Sequence, residues 1–100
     1  MRLTDDQVNR IRSVAMRILG ADARVRLFGS RARDSARGGD IDLFFETDAV
    51  LQNRADTLCR LHGALTLALG ERKIDILLKY ARTPQSPILE RAQRTGVPLL

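Results

Sequence analysis

Two aspartates, Asp40 and Asp42, stand at the start of an otherwise apolar segment that continues to Phe45. Because successive side chains of a β-strand point to opposite faces, both carboxylates are predicted to share one face while Ile41 and Leu43 enter the core. Two like charges on a half-buried strand face repel each other and lose hydration, so a stable fold needs a compensating cation. Mg²⁺ fits, because it takes carboxylate oxygens from one or two side chains and fills its remaining positions with water and phosphate.

The context of this pair carries more information than the pair itself. With nine aspartates in 100 residues, chance alone gives about 0.8 Asp-x-Asp pairs. Here the pair follows a Gly29-Ser30 turn, and a third acid, Asp75, lies between two isoleucines of a second predicted strand, where Asp is disfavoured unless it has a use. Alternation places Asp75 opposite those isoleucines, where it can join Asp40 and Asp42. A solvated acid on an edge strand is the alternative for Asp75.

These residues resemble the nucleotidyltransferase superfamily, which has the DNA polymerase beta-like fold, and within it the minimal nucleotidyltransferases (MNT). The family pattern is an apolar residue, Gly-Ser, a spacer of roughly ten residues, Asp-x-Asp, and a later strand with a third Asp. In this sequence the spacer is one residue shorter, and Gly39 stands where a Ser often precedes the first Asp. The matching segments are Leu27-Phe28-Gly29-Ser30-Arg31-Ala32-Arg33, Gly38-Gly39-Asp40-Ile41-Asp42-Leu43 and Ile74-Asp75-Ile76.

The resemblance implies transfer of AMP from ATP to an acceptor hydroxyl, with loss of pyrophosphate. Gly29 lets the backbone approach a phosphate, and Ser30 offers a hydroxyl and N–H groups at the start of a short helix. Asp40 and Asp42 are assigned to Mg²⁺ on the phosphates. Asp75 is assigned to a second Mg²⁺ ion or to the proton of the acceptor hydroxyl.

Arginines follow the Gly-Ser turn, and the net charge of the chain is +5 with a pI near 10.6. Arg31 and Arg33 are predicted to clamp the triphosphate, because guanidinium donors match phosphate oxygens; a solvated basic helix face is the alternative. The charge favours polyanionic partners in general. Yet the chain has only four aromatic residues and no helix-turn-helix or zinc pattern, so nucleic acid is not expected as the primary partner.

The elements that must position these residues follow in a regular order. Thr4 and Gln7 form a capping box that starts a helix, which continues to Gly20. A leucine-rich helix with Gly70 as its stop is predicted over 50–69, and Leu67 falls off its main apolar stripe. The predicted stripe consists of Leu51, Ala55, Leu58, Leu61, Leu65 and Leu69. The order predicts an α/β fold in a single domain, 1–100: a small mixed sheet of three to four strands packed with helices. The other predicted elements are strands at 24–28, 40–45, 73–78 and 97–100 and short helices at 30–36 and 88–95.

The composition of the chain indicates its expected cellular location. No apolar run reaches 18 residues and no signal-peptide pattern occurs, so neither a membrane nor export is expected. The single Cys59 cannot form an internal disulfide, which indicates a reducing cytoplasm. Cys59 itself is predicted to be a small buried residue, and His62 has no Cys or His at metal spacing.

A chain of 100 residues leaves no room for an acceptor-binding domain, so another chain is expected to present the acceptor. Relatives of this size accompany a small all-helical HEPN protein and act as its antitoxin, in some cases by adding AMP to the toxin. The resemblance therefore implies the antitoxin of a HEPN/MNT toxin-antitoxin pair. Leu67 or the apolar segment 97–100 is predicted to contact the partner.

Two alternatives remain. A small-molecule nucleotidyltransferase, such as one that modifies an aminoglycoside, would need an acidic acceptor pocket built across a homo-oligomer, namely a dimer. A non-catalytic antitoxin would act by binding only and keep the acids as structure. A helical HEPN protein in the adjacent reading frame would favour the antitoxin over the small-molecule enzyme, and turnover assays would separate catalysis from binding.

Overall fold

The first helix starts at the predicted capping box and ends at the predicted glycine. The computed structural model of the chain describes residues 4–27, 41–70, 73–81 and 86–99. Helix α1 spans Asp5–Leu19. The Thr4 hydroxyl accepts the Gln7 N–H at 3.1 Å, and the Thr4 N–H donates to Gln7 Oε1 at 2.9 Å, which confirms the capping box. The helix ends at Gly20, whose φ of 105° is costly for residues with a side chain.

Within the described residues, four strands form one mixed sheet, which confirms the predicted fold class. They are β1 (Arg24–Leu27), β2 (Ile41–Glu46), β3 (Ile74–Lys79) and β4 (Val97–Pro98). Their spatial order is β3-β2-β1-β4, with β1 antiparallel to β2 and β4, and β2 parallel to β3. A parallel pair needs a long crossover, and helix α2 (Arg54–Leu69) supplies it. Helix α3 (Pro87–Thr95) precedes β4.

Helix α2 begins four residues later than the sequence predicts. Asn53 caps it, because its Oδ1 accepts the Asp56 N–H at 2.9 Å, and the helix then starts at Arg54. The predicted apolar stripe is wrong at Ala55, which is exposed, while Thr57 is buried. The Thr57 hydroxyl donates to the Asn53 carbonyl at 3.1 Å, so this polar group is satisfied inside the fold.

The two faces of the sheet carry unequal apolar clusters. Ile41, Leu43 and Phe45 of β2 point to the face that packs against α1 and α2, and all three are buried as part of the main core. Phe44 points to the opposite face, where it packs with Leu77 of β3 and Leu89 of α3. The other buried members of the main core are Ile11, Val14, Ala15, Leu19, Ala23, Val25, Leu61, Leu65, Leu69, Ile74, Leu78 and Leu99.

The Glu46 carboxylate connects three elements on the α3 side of the sheet. It accepts hydrogen bonds from Arg26 Nη1 at 2.9 Å and from Gln93 Nε2 at 3.2 Å. Arg24 Nε and Lys79 Nζ lie 3.7 Å and 4.0 Å from it. Because the Glu46 side chain is only 12% exposed, these contacts compensate its lost hydration. The network holds β1, β3 and α3 around the end of β2.

Asp22 stabilises the turn after β2. Its carboxylate accepts the Asp48 N–H at 3.0 Å and the Thr47 hydroxyl at 3.3 Å. The Asp48 N–H is the main group that holds the pKa of Asp22 below its ordinary value of 3.8. A lowered folded-state pKa means that the carboxylate stabilises the fold above pH 3.8 and loses this contribution as the pH falls through the folded-state pKa.

We therefore expect the thermal midpoint of the wild type to exceed that of Asp22→Asn at about pH 5, and the gap to narrow at about pH 3. Thermal unfolding followed by circular dichroism at both pH values measures this gap. Asp5→Asn, at an exposed position in the first turn of α1, is a control for loss of one negative charge. A gap that is the same at both pH values would contradict the assigned role of the Asp22 charge.

Several sequence predictions need small corrections. β3 and α3 start within one residue of the predicted positions, and Pro98 pairs with Arg26 at the sheet edge, where a missing N–H is tolerated. Cys59 is exposed, contrary to the prediction that it is buried, because it lies on the outer side of α2. The helix predicted over 30–36 lies outside the described residues. Among the helices that are described, none has the length and apolar character needed to span a membrane.

Candidate active site

Asp42 and Asp75 lie side by side on the parallel strands β2 and β3. The register pairs these two residues directly, and each is the second residue of its strand. Paired residues on adjacent strands project to the same face, and the strands are about 4.8 Å apart. Asp75 is exposed and Asp42 is half-buried. The two carboxylates therefore share one face at the start of the parallel pair.

The apolar residues around the two acids determine this orientation. Ile41 and Leu43 flank Asp42, while Ile74 and Ile76 flank Asp75, and all four isoleucine and leucine side chains pack in or against the main core. Since strand side chains alternate, the acids must project away from α1 and α2. A hydrogen bond from the Ile41 N–H to the carbonyl oxygen of residue 73, at 2.9 Å, sets the register at this end.

Strand β1 ends at the same edge of the sheet. Because β1 is antiparallel to β2, its last residue, Leu27, pairs with Leu43, next to Asp42. In the sequence, Gly29 follows Leu27 by two residues, and Asp40 immediately precedes β2. The described strands thus bring the segments that border each predicted site residue to one edge of the sheet.

Five predicted site residues, Gly29, Ser30, Arg31, Arg33 and Asp40, lie outside the described residues. Their assignment to the triphosphate and to the metal stays a prediction.

Within the described ranges, no group of three or more His, Cys, Asp or Glu side chains is placed to hold a metal ion. The two described acids nevertheless fit Mg²⁺ by their chemistry, because both supply hard carboxylate oxygens from adjacent positions. Asp40 would complete a set of three.

Along the strands, the face that carries Asp42 and Asp75 changes from acidic to apolar. Next after Asp42 and Asp75 on this face come Phe44 and Leu77, which Leu89 of α3 covers. Beyond them the Glu46 network closes the far end. Sequence reasoning missed this network, although the two-residue spacing of Arg24 and Arg26 and the four-residue spacing of Asp42 and Glu46 indicated that charged side chains share this face. The result is an acidic edge beside an apolar floor.

The nucleotidyltransferase domain family matches the chain over residues 8–94. This range begins in α1, ends in α3 and includes both described acids of the candidate site. No curated protein matches the chain.

Proposed function

Because this chain belongs to the nucleotidyltransferase domain family, as its motif residues predicted, we propose that it transfers AMP from ATP to a hydroxyl group on a partner protein. Nucleotidyl transfer as a reaction class follows from the family. The protein acceptor is supported by the exposure of Asp75, which leaves this end of the parallel strands accessible to a hydroxyl group of another protein. We further propose that the partner is a helical HEPN-type toxin and that this chain acts as its antitoxin.

The observation that best supports catalysis is the register that pairs Asp42 with Asp75. Like charges directly opposite each other on neighbouring strands destabilise a sheet. An exposed charge on the edge strand β3 can prevent pairing with other chains, but this does not account for the second acid aligned with it on the inner strand β2. A cation bound between the two carboxylates would offset their repulsion and attract a polyanionic substrate.

In the proposed reaction, the acceptor oxygen attacks the α-phosphorus of ATP. The bond from this phosphorus to the oxygen that bridges to the β-phosphate breaks, and pyrophosphate leaves. Asp75, which is exposed, accepts the proton of the acceptor hydroxyl. Asp40, Asp42 and Asp75 would hold one or two Mg²⁺ ions, which when bound supply charge neutralisation at the phosphates and lower the pKa of the acceptor hydroxyl.

The triphosphate is assigned to the segment after β1. Gly29 and Ser30 would hold the β- and γ-phosphates through backbone N–H groups and the Ser30 hydroxyl. Arg31 and Arg33 would compensate the remaining phosphate charge with guanidinium donors. Holding the leaving pyrophosphate in this way aligns the α-phosphorus with the acceptor, and positioning accounts for much of the catalysis in such transfers.

Two labels of ATP test the reaction. The purified chain is incubated with Mg²⁺, the helical protein encoded by the neighbouring reading frame, and ATP labelled either at the α- or at the γ-phosphorus. We expect the α-label to become covalently attached to the neighbouring protein and the γ-label to leave as pyrophosphate. Mass spectrometry of the labelled protein should show the addition of one or more AMP groups.

Other outcomes would contradict the proposal in different ways. Transfer of the γ-label would indicate a kinase rather than a nucleotidyltransferase. Transfer of the α-label to an added aminoglycoside and not to the protein would favour the small-molecule enzyme. Tight complex formation without any transfer would favour an antitoxin that acts by binding only.

A further inference from the structure

A groove of about 630 Å³ runs along the outer surface of the layer formed by α1 and α2. Arg10 and Arg17 border it on α1, and Arg60 and Leu67 border it on α2. None of the ten residues that line it is acidic. The groove is therefore both basic and partly apolar, and it follows α1 from Asn9 to Ile18 for about 14 Å.

Leu67 is the most exposed large apolar side chain among the described residues, with 90% of its surface accessible. The neighbouring leucines of α2, Leu61, Leu65 and Leu69, are buried in the main core. Leu67 thus contributes nothing to that core and points to solvent at the rim of the groove. The apolar surface extends into the floor of the groove through Val14, Ile18 and Ala64. No aromatic residue lines the groove.

The three arginines differ in how much of their charge is already compensated. Arg10 forms an ion pair with Asp6 at 3.0 Å and donates to the Ala68 carbonyl at 2.9 Å. Arg17 and Arg60 are exposed, and neither has an acidic partner within residues 4–27, 41–70, 73–81 and 86–99. Two guanidinium groups in the same groove as the exposed leucine are therefore available to a ligand.

We propose that this groove docks an acidic amphipathic helix of the partner protein. A large apolar side chain of that helix packs on Leu67, and carboxylates about two turns further along the same face pair with Arg17 and Arg60, which lie together at the other end of the groove. The length of the groove fits about nine residues of helix. This inference rests on the proposed function only in that the docked helix belongs to the protein that receives AMP.

Two other occupants fit the observations less well. A second copy of the chain in a twofold dimer would place the same groove surface against itself, and this surface has no acidic lining residue to pair with Arg17 and Arg60. A nucleic acid would satisfy the arginines but leave Leu67 without an apolar contact, and no aromatic residue lines the groove for base stacking. An acidic helix satisfies both the charges and the leucine.

The groove lies on the opposite side of the sheet from Asp42 and Asp75. Helices α1 and α2 pack on the face of Ile41, Leu43 and Phe45, whereas the acids project from the other face. The docked helix is therefore a separate part of the partner from the segment that carries the acceptor hydroxyl. Substitutions in the groove should leave nucleotide binding unchanged.

The probe is a fluorescein-labelled synthetic helical peptide with two leucines one turn apart, flanked by glutamates. Its affinity for the full chain is measured by fluorescence anisotropy. We expect Leu67→Ser, Arg17→Glu and Arg60→Glu each to weaken binding about tenfold or more, the scale of an interface residue that matters. A peptide with glutamine in place of glutamate should bind at least about tenfold more weakly to the wild type.

Matched variants outside the groove serve as controls. Val50→Ser removes another exposed apolar side chain, and Arg54→Glu reverses a charge at the far end of α2. Both should bind the peptide like the wild type, and thermal unfolding of every variant excludes loss of the fold. Equal weakening by Arg54→Glu would reveal general charge attraction and overturn the proposal, as would absence of binding to the wild type.

Three further results distinguish the remaining possibilities. Single-stranded RNA that competes with the peptide and is insensitive to Leu67→Ser would overturn the proposal in favour of nucleic acid. A wild-type dimer that Leu67→Ser converts to monomer would overturn it in favour of a second copy. Peptide binding with the expected variant pattern, in a chain that transfers no label from ATP, would support the groove while rejecting the proposed function.

Discussion

Replacing Asp42 with asparagine should weaken binding of Mg²⁺-ATP by at least about a hundredfold, because loss of a ligand exceeds the 10- to 100-fold cost of losing a group that only orients one. Isothermal titration with Mg²⁺ or Mn²⁺ and ATP measures this change. Of the two described acids of the candidate site, the half-buried Asp42 is the one closer in sequence to the motif segment 29–33, so its carboxylate is expected to hold the ion on the phosphates.

The stability of the same variant provides a second readout. Asp42 and Asp75 are paired in the register, so the substitution reduces the repulsion between them. Thermal unfolding without ligand should show that the Asp42→Asn variant is folded, so that a lower affinity for Mg²⁺-ATP reports the loss of the carboxylate. Asp56→Asn on α2 makes the same chemical change at an exposed position on the other side of the sheet and should leave the affinity for Mg²⁺-ATP unchanged. Wild-type affinity for Mg²⁺-ATP in the Asp42 variant would reject the metal assignment.

Replacing Asp75 with asparagine should separate binding from chemistry. Asp75 is exposed, and its proposed role is to accept the proton of the acceptor hydroxyl. We expect this variant to retain most of its affinity for ATP but to lose AMP transfer by at least roughly a hundredfold, the usual scale for loss of a general base. Single-turnover transfer from α-labelled ATP to the neighbouring protein measures the rate.

The Asp75→Asn variant is compared with Ser30→Ala. Ser30→Ala should instead weaken nucleotide binding, because the Ser30 hydroxyl is assigned to the phosphates. If Asp75→Asn transfers AMP at the wild-type rate, the acid has no part in activating the acceptor. If it loses affinity for ATP as strongly as Asp42→Asn, Asp75 serves mainly as a metal ligand.

The sequence contained enough information to predict which face each acid occupies. Two-residue alternation of Ile74, Ile76 and Leu78 required Asp75 to point away from them, and the main core confirms their placement. The ends of the helices were predictable for the same reason, because each depends on a nearby glycine. Gly20 and Gly70 end α1 and α2 with φ angles of 105° and 87°. Such features depend on residues a few positions apart, so they can be read from the chain alone.

Features that depend on distant residues were not accessible in this way. The pairing of Asp42 with Asp75 requires a particular register between strands separated by the whole of α2, and alternation is compatible with several registers. The Glu46 network joins residues as far apart as Glu46 and Gln93. The start of α2 was mispredicted because the Asn53 cap overrides the apolar spacing before it.

The unequal clusters on the two faces of β2 have an evolutionary consequence. Most of the buried hydrocarbon lies on the α1 and α2 side, while Phe44, Leu77 and Leu89 form a small cluster on the side of the acids. Substitutions near the acids therefore disturb few packed atoms, whereas substitutions on the other face create cavities in the main core. Selection can alter what the acidic face accepts as a substrate without first having to rebuild the layer that keeps the protein folded.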